Sequence, residues 1–271
     1  MPEQLTPSQQ ALMEKVAAFA SETLEPRRDM PADQARREVI EASRKAGFFA
    51  MTQPASFGGS EATTLELTLV RDELAAANAP HTGAVFGPGP GVLAEVDEPL
   101  RSRYLAPLLA GDKRGGFAFT EPDDAPAPTR AVEDGDTLVI TGQKSYVTGG
   151  ADADFINALV QIGDQGPAMV VIDTALPGVE ITRRFSSIDG SRHAAFRFDE
   201  ARVPRGHIIG TPGEGMPRAM RQIGDTRLQI AAQCAGTMRW VLGYLTDHLL
   251  QPERSGKPRG SREGVRLRYA E

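Results

Sequence analysis

The chain has 271 residues, with 30 Lys and Arg against 36 Asp and Glu for a net charge of −6, and 40% of its residues are hydrophobic. That composition excludes wholesale disorder, and the acidic balance excludes a general nucleic-acid binder, which needs surplus cations to displace counterions from phosphates. The single cysteine, Cys234, excludes an internal disulfide and a cysteine-based zinc site. The N-terminus, MPEQLTPSQQ, lacks a basic start followed by an apolar stretch, and no run approaches the roughly 20 apolar residues of a membrane span. A reduced, cytoplasmic protein with no membrane span is expected.

In chain order, Thr6-Pro7-Ser8-Gln9 reads as a capping box with proline at the first helical position. Leu12, Val16, Phe19 and Leu24 then mark one face of a helix that should stop before Pro26. A second helix is predicted from about Pro31 to Ala46, with Val39 and Ile40 inward and Gly47 as its cap. A third spans Thr63 to Ala77, with Leu65, Leu69 and Leu74 as the buried stripe. The Gly/Pro run at 87–91 reads as a surface connection, followed by a helix over Pro99–Leu109. From Gly111 the pattern changes to short β-rich runs: Gly115–Thr120, Thr137–Thr141, Phe155–Ile162, Ala168–Asp173 and Ala194–Phe198. Turn signals such as Asp134-Gly135-Asp136, Pro177-Gly178 and Asp189-Gly190 lie between them. Short strands with polar turns predict an antiparallel sheet or barrel. Helical periodicity returns from about Gly215 to Leu250, a polar turn covers 251–262, and Gly264–Glu271 begins another helix. The expected class is α+β multidomain: a helical domain over 1–112, a central β domain over 113–214, and the start of a C-terminal helical bundle over 215–271.

Residue chemistry narrows the site. His81, His193, His207 and His248 are scattered without metal-ligand spacing, so no metal is expected. No nucleophile elbow and no glycine-rich phosphate loop is present. Two strand ends remain: Phe117-Ala118-Phe119-Thr120-Glu121-Pro122 and Lys144-Ser145-Tyr146-Val147-Thr148-Gly149-Gly150. They are either hairpin strands with core aromatics, or fixed hydroxyls and amides facing one flat heteroaromatic ligand.

At these residues the sequence resembles the acyl-CoA dehydrogenase family. Ala106–Asp112, Phe117–Pro122, Thr141–Thr148 and Ala201–Pro204 followed by Ile209-Gly210 resemble family motifs in family order, and the resemblance covers nearly the whole chain. It implies an FAD-dependent oxidoreductase of lipid metabolism acting on a CH–CH group, with α,β-dehydrogenation of an acyl-CoA thioester. By resemblance, the Phe119–Glu121 amides and the Thr120 side chain meet the flavin's pyrimidine edge, with Phe117 on the same strand. Tyr146 stacks at the isoalloxazine, Val147 lies beside it, and the Thr148 hydroxyl sits near N5. Arg227 lies along the pantetheine channel, and Arg254 reaches a neighbouring subunit's FAD. The implied partners are an acyl-CoA or related thioester, an electron-transfer flavoprotein-like acceptor, and a homologous subunit in a homo- or hetero-oligomer.

Three departures accompany the resemblance. The loop after Thr-Glu-Pro is short and carries Asp123 and Asp124. The Glu253–Pro258 turn is shorter than the family form and lacks its phenylalanine. The family's last helices, which supply the usual catalytic glutamate, are not in this sequence, and Thr226 occupies the alternative base position before Arg227. No catalytic residue is therefore nominated. Two alternatives stay open: a non-catalytic subunit of a hetero-oligomeric acyl-CoA dehydrogenase, and a flavin monooxygenase of the same fold.

Overall fold

The computed structural model describes residues 4–187 and 191–270. The predicted turn at Asp189-Gly190 and the last residue, Glu271, lie outside the described residues. The chain runs helical, then sheet, then helical, as expected, and divides into two compact units. One comprises Met1–Met51, Glu61–Phe86 and Arg227–Glu271; the other comprises Thr52–Ser60 and Gly87–Thr226.

In the first unit, α1 (Pro7–Phe19) starts at a capping box: Gln9 N–H donates to Thr6 Oγ1 and Thr6 N–H donates to Gln9 Oε1. Regular α-helix ends well before Pro26, first as a π-helical turn over Ala20–Leu24, then as a tight turn over Glu25–Arg27. Helix α2 (Ala32–Ala46) ends at Gly47, whose φ of 84° lies in the left-handed region. Helix α3 (Thr64–Ala76) repeats the capping device with Thr63 and Glu66. Val16, Phe19, Val39, Val70 and Leu74 are buried together. Leu65, predicted to be inward, is 48% exposed. It lies five residues before Val70, about 140° around a helix of 3.6 residues per turn. The stretch Arg227–Leu250 of α5 (Gly215–Leu250) and α6 (Glu263–Ala270) complete the unit. Ile230, Met238, Leu242 and Tyr244 of α5 and Leu267 of α6 are exposed.

The second unit is built on an eight-stranded sheet. Its strands are β1 (Gly115–Ala118), β2 (Arg130–Asp134), β3 (Thr137–Thr148), β4 (Phe155–Ile162), β5 (Gly166–Asp173), β6 (Val179–Ser186), β7 (Arg192–Pro204) and β8 (Ile208–Ile209). The order is β6-β7-β3-β1-β4-β5-β8, with β2 pairing β3 and β4. Pairing is antiparallel, as expected, except where β1 and β2 meet β4 in parallel. Strands β2 and β6 went unpredicted because charged side chains mask their alternation: Arg130, Glu133 and Asp134 in one, Glu180, Arg183 and Arg184 in the other. Strand β6 lies at the sheet's edge, where such charge blocks pairing with foreign strands.

One face of the sheet buries Leu138, Ile140, Ile156, Phe196 and Phe198. The other packs Phe155, Met169 and Val171 against Leu93, Tyr104 and Leu105. The helix predicted over Pro99–Leu109 forms as a π-helical turn, Arg101–Leu105, leading into α4 (Ala106–Ala110). The Gly/Pro run is not wholly superficial: Gly87 is buried and its carbonyl accepts Thr52 Oγ1 at 2.7 Å. His207 is buried too, and its Nδ1 hydrogen-bonds the Val171 carbonyl at 3.0 Å. Burial lowers its pKa, which suits a neutral structural imidazole. Among the described residues, no helix is long and apolar enough to cross a membrane.

Within the helical unit, a Cβ added at Gly236 of α5 would lie 2.0 Å from the Asp72 carbonyl oxygen of α3. The Arg239–Asp72 ion pair sits one turn further along. Alanine normally strengthens a helix interior by about 1 kcal/mol over glycine. Here the clash is with backbone, so Gly236→Ala is expected to destabilise by about 1–3 kcal/mol instead. Urea unfolding followed by far-UV circular dichroism measures the difference.

Candidate functional site

The two strand ends singled out from the sequence are neighbours. Phe117 of β1 is in register with Thr148 of β3, and Ser145 N–H donates to the Thr120 carbonyl at 2.8 Å. The pair is antiparallel, so Thr120 lies three residues beyond the Phe117–Thr148 rung, about 10 Å along the strands. Both threonines are exposed. Phe117 and Phe119 project as a stacked pair, with centroids 6.0 Å apart and planes at 10°.

Strand β3 carries a register shift against β7 between Lys144 and Val147, and Tyr146 sits within it at φ 54°. This is a strained position for a side chain other than glycine. The bulge leaves Tyr146 68% exposed, its ring edge-on to Phe185 at 5.5 Å. Val147, by contrast, is fully buried in the sheet core, so only its main chain is available to a ligand.

An ion pair between a buried lysine and a partly exposed glutamate holds the tips. The Lys144 side chain is 1% exposed, and its ammonium donates to Glu121 Oε1 at 2.7 Å and to the Phe119 carbonyl at 3.2 Å. Glu121 also accepts the Thr129 N–H at 2.9 Å, and Thr129 Oγ1 donates to the Gln143 carbonyl at 3.0 Å. Burial raises the Glu121 pKa, but hydrogen bonds from Lys144 and Thr129 outweigh it and hold the carboxyl below its ordinary value. Burial likewise lowers the Lys144 pKa, against the opposing pull of Glu121. Thr129 can approach because position 142 is glycine: a Cβ there would lie 2.5 Å from Thr129 Cα.

The tips present a donor set. Carbonyl and N–H point in opposite directions across a planar trans peptide. With the Phe119 carbonyl turned to Lys144 and the Thr120 carbonyl to Ser145, the N–H groups of Thr120 and Glu121 face the other way. Neither meets an acceptor among the described residues. Two buried side-chain atoms, Ser145 Oγ and Asn157 Oδ1, also lack hydrogen-bond partners among the described residues. Asn157 lies in register beside Phe117 across the β1–β4 pairing and is 7% exposed. Buried polar groups are normally satisfied, so these two atoms stand out against the packed sheet around them. Free amides, two hydroxyls and an exposed ring beside a stacked aromatic pair fit a flat heteroaromatic group with carbonyl and nitrogen acceptors. Sequence reasoning missed Lys144 and Asn157 as site residues; a lone amide inside the apolar run Phe155–Ile162 was the available signal for the latter.

Arg227 and Arg254 belong to the other compact unit. Arg227 is exposed on α5, and Arg254 is exposed in a turn closed by the Glu253 N–H bond to the Lys257 carbonyl at 3.0 Å. Thr226, the position that could have held a base, donates its hydroxyl to the Gln222 carbonyl. Asp123 and Asp124 are both exposed. The shortened loop forms one wall of a cavity of about 420 Å³ that includes Pro126, Pro128, Gly142 and Arg197. Among the described residues, no group of three His, Cys, Asp or Glu could hold a metal ion.

Three family profiles match in order: the acyl-CoA dehydrogenase N-terminal domain over residues 6–112, the middle domain over 116–201 and the C-terminal domain over 213–271. The chain belongs to the acyl-CoA dehydrogenase family, and its helical–sheet–helical fold is that of the family. It is 26% identical to an acyl-CoA dehydrogenase of Bacillus subtilis, over 97% of this chain and 74% of that protein. The crystal structure of a probable acyl-CoA dehydrogenase from Mycobacterium abscessus superposes with a TM-score of 0.81 at 29% identity, covering 98% of this chain and 75% of that one. A glutaryl-CoA dehydrogenase from Mycobacterium smegmatis, solved in complex with FADH2, shares the fold with a TM-score of 0.79 at 22% identity, covering 98% of this chain and 71% of that one. The chain thus spans about three quarters of the length of these relatives.

The lowered Glu121 pKa has a pH signature. Its stabilising contribution is complete above the ordinary carboxylate range and is lost as pH falls through the lowered folded value. At pH 7, Glu121→Gln leaves the Lys144 ammonium buried without its counter-charge and is expected to cost about 3 kcal/mol. The variant should also lose part of the wild-type decline in stability on acidification. Urea unfolding at a series of pH values from 7 downward reads both effects.

Proposed function

We propose that the chain is the flavin- and thioester-binding body of an acyl-CoA dehydrogenase-type oxidoreductase, with FAD as its cofactor. The observation that carries this reading is the pair of unpartnered N–H groups at Thr120 and Glu121, set beside exposed Tyr146 and Thr148. Membership of the family supports it. Bound there, FAD would supply a two-electron acceptor for the β-hydrogen of a thioester.

The chain's own residues would bind and orient. The Thr120 and Glu121 amides would donate to the pyrimidine edge, where negative charge grows on reduction, and fixed donors of this kind need no reorganisation as it develops. Tyr146 offers an exposed face to the ring system. The Thr148 hydroxyl makes no hydrogen bond among the described residues and is free to donate at N5. Phe117 and Phe119 exclude water from one side. Arg227 and Arg254 would serve the pantetheine and a neighbouring subunit's flavin, respectively.

Glu121, the carboxylate of the strand tip itself, is committed to Lys144 and Thr129. This favours a second reading: a flavin-holding subunit whose α-proton base comes from a homologous partner. An electron-transfer flavoprotein-like acceptor would then reoxidise the cofactor. Monooxygenase chemistry on the same fold has no observation of its own in its favour.

The visible spectrum of the purified protein, titrated anaerobically with butyryl-CoA, tests these readings. Bound flavin bleached by the thioester supports dehydrogenation by this chain. Flavin perturbed but not bleached supports the partnered subunit, and reduction by NAD(P)H alone points to the monooxygenase. A colourless protein that takes up no added FAD overturns the proposal. Thr148→Ala, lacking a bond to lose, is expected to change stability by less than about 0.5 kcal/mol. It should nevertheless weaken FAD binding several-fold in a fluorescence titration.

A further inference from the structure

The buried ammonium of Lys144 does more than neutralise Glu121. A lysine at 1% exposure is costly to desolvate, and an apolar side chain of similar length would fill the same space without that cost. Its second contact is the informative one: besides the carboxylate, it takes the Phe119 carbonyl, the main-chain oxygen of the peptide that carries the Thr120 N–H. The Ser145 N–H takes the next carbonyl, Thr120, whose peptide carries the Glu121 N–H. Both peptide planes are therefore pinned from the β3 side, and both N–H groups are turned outward.

We infer that Lys144 is a positioning residue for the flavin: by binding the Phe119 carbonyl and the Glu121 carboxylate together, it aims the Thr120 and Glu121 N–H groups as a fixed donor pair. The inference rests on the flavin reading above. It assigns Lys144 no contact with the cofactor. Without the ammonium, the Phe119–Thr120 peptide loses the bond that sets its rotation, and the Thr120 N–H is no longer held toward the ligand. Thr129 and Gly142 complete the frame: Thr129 N–H fixes the other side of Glu121, and the missing Cβ at 142 lets it come close.

The test separates orientation from charge compensation. Lys144→Met alone leaves Glu121 uncompensated, so it mixes the two effects. The double variant E121Q/K144M removes both charges, keeps the side-chain lengths similar, and leaves the new side-chain amide oxygen at position 121 able to accept the Thr129 N–H. Its thermal midpoint is expected to stay close to that of the wild type. FAD should bind at least tenfold more weakly in a fluorescence titration, and the midpoint potential of bound FAD should move to more negative values. A double variant that binds FAD with the wild-type dissociation constant and potential overturns the positioning role while leaving the flavin reading intact. Wild-type protein that takes up no FAD overturns both. Should the double variant fail to fold, E121Q/K144Q replaces it: the two side-chain amides can bond each other, while the side chain at 144, one atom shorter, no longer reaches the Phe119 carbonyl. Weaker FAD binding by that variant supports the inference, and wild-type binding by it overturns the positioning role.

Discussion

A lysine ammonium shut inside the sheet unit ties the end of β1 to β3 and to the segment entering β2. Lys144 reaches the Phe119 carbonyl and the Glu121 carboxylate, Glu121 reaches Thr129, and Thr129 reaches back to Gln143. The ring closes on itself. Its members span only the residues from 119 to 144, yet they decide which way the strand tips present their main-chain groups. A charged pair is a demanding choice for this task, because each partner left alone in a low-dielectric setting costs several kcal/mol. That same demand makes the arrangement specific: few alternative packings satisfy an ammonium, a carboxylate and a carbonyl at once.

The sheet's topology makes the ring possible. Strand β1 is only four residues long and slots between β3 and β4, antiparallel to one and parallel to the other. Its end therefore lies beside the last residues of β3 rather than at a hairpin turn, and Phe119–Glu121 runs on along β3 past the last paired residue, with the Thr120 carbonyl taking the Ser145 N–H. The bulge at Tyr146 then swings an aromatic ring out of the sheet next to that emerging segment. Strain at one residue, a strand extension with free N–H groups and a buried ammonium are each unfavourable taken alone. They converge on one small region, which is where functional demands outweigh local preference.

The family defines the chemistry available to this architecture, and the chain's departures define how it is distributed. Asp123 and Asp124 project into solvent from a shortened loop, so their charge is screened rather than aimed at the strand tips. Glu121, the carboxylate nearest the tips, has its proton-accepting capacity taken up by structural bonds. Thr226 turns its hydroxyl back onto its own helix. The residues proposed to hold and orient the flavin are thus concentrated in the sheet unit, and the Asp123 and Asp124 carboxylates stand exposed on the loop that follows.

Local signals in the sequence were enough for the helices with caps and the strands with clean alternation. Thr6 with Gln9, Gly47, and the apolar run Phe155–Ile162 each encode their structure within a few residues, because capping and pleating are short-range interactions. The motifs at Phe117–Pro122 and Lys144–Thr148 were equally legible as a resemblance. What they do to one another was not, since Lys144 and Glu121 lie 23 residues apart and meet only through the β1–β3 pairing. Strands β2 and β6, the parallel β1–β4 contact, the exposure of Leu65 and the burial of Gly87 were likewise settled by tertiary packing. Charge masks the period of a strand, and burial is a property of neighbours that are distant in the chain. The direction of two peptide planes, on which the site rests, belongs to the same class: it is fixed by which side chain reaches which carbonyl across the sheet, and no local pattern of residues records that.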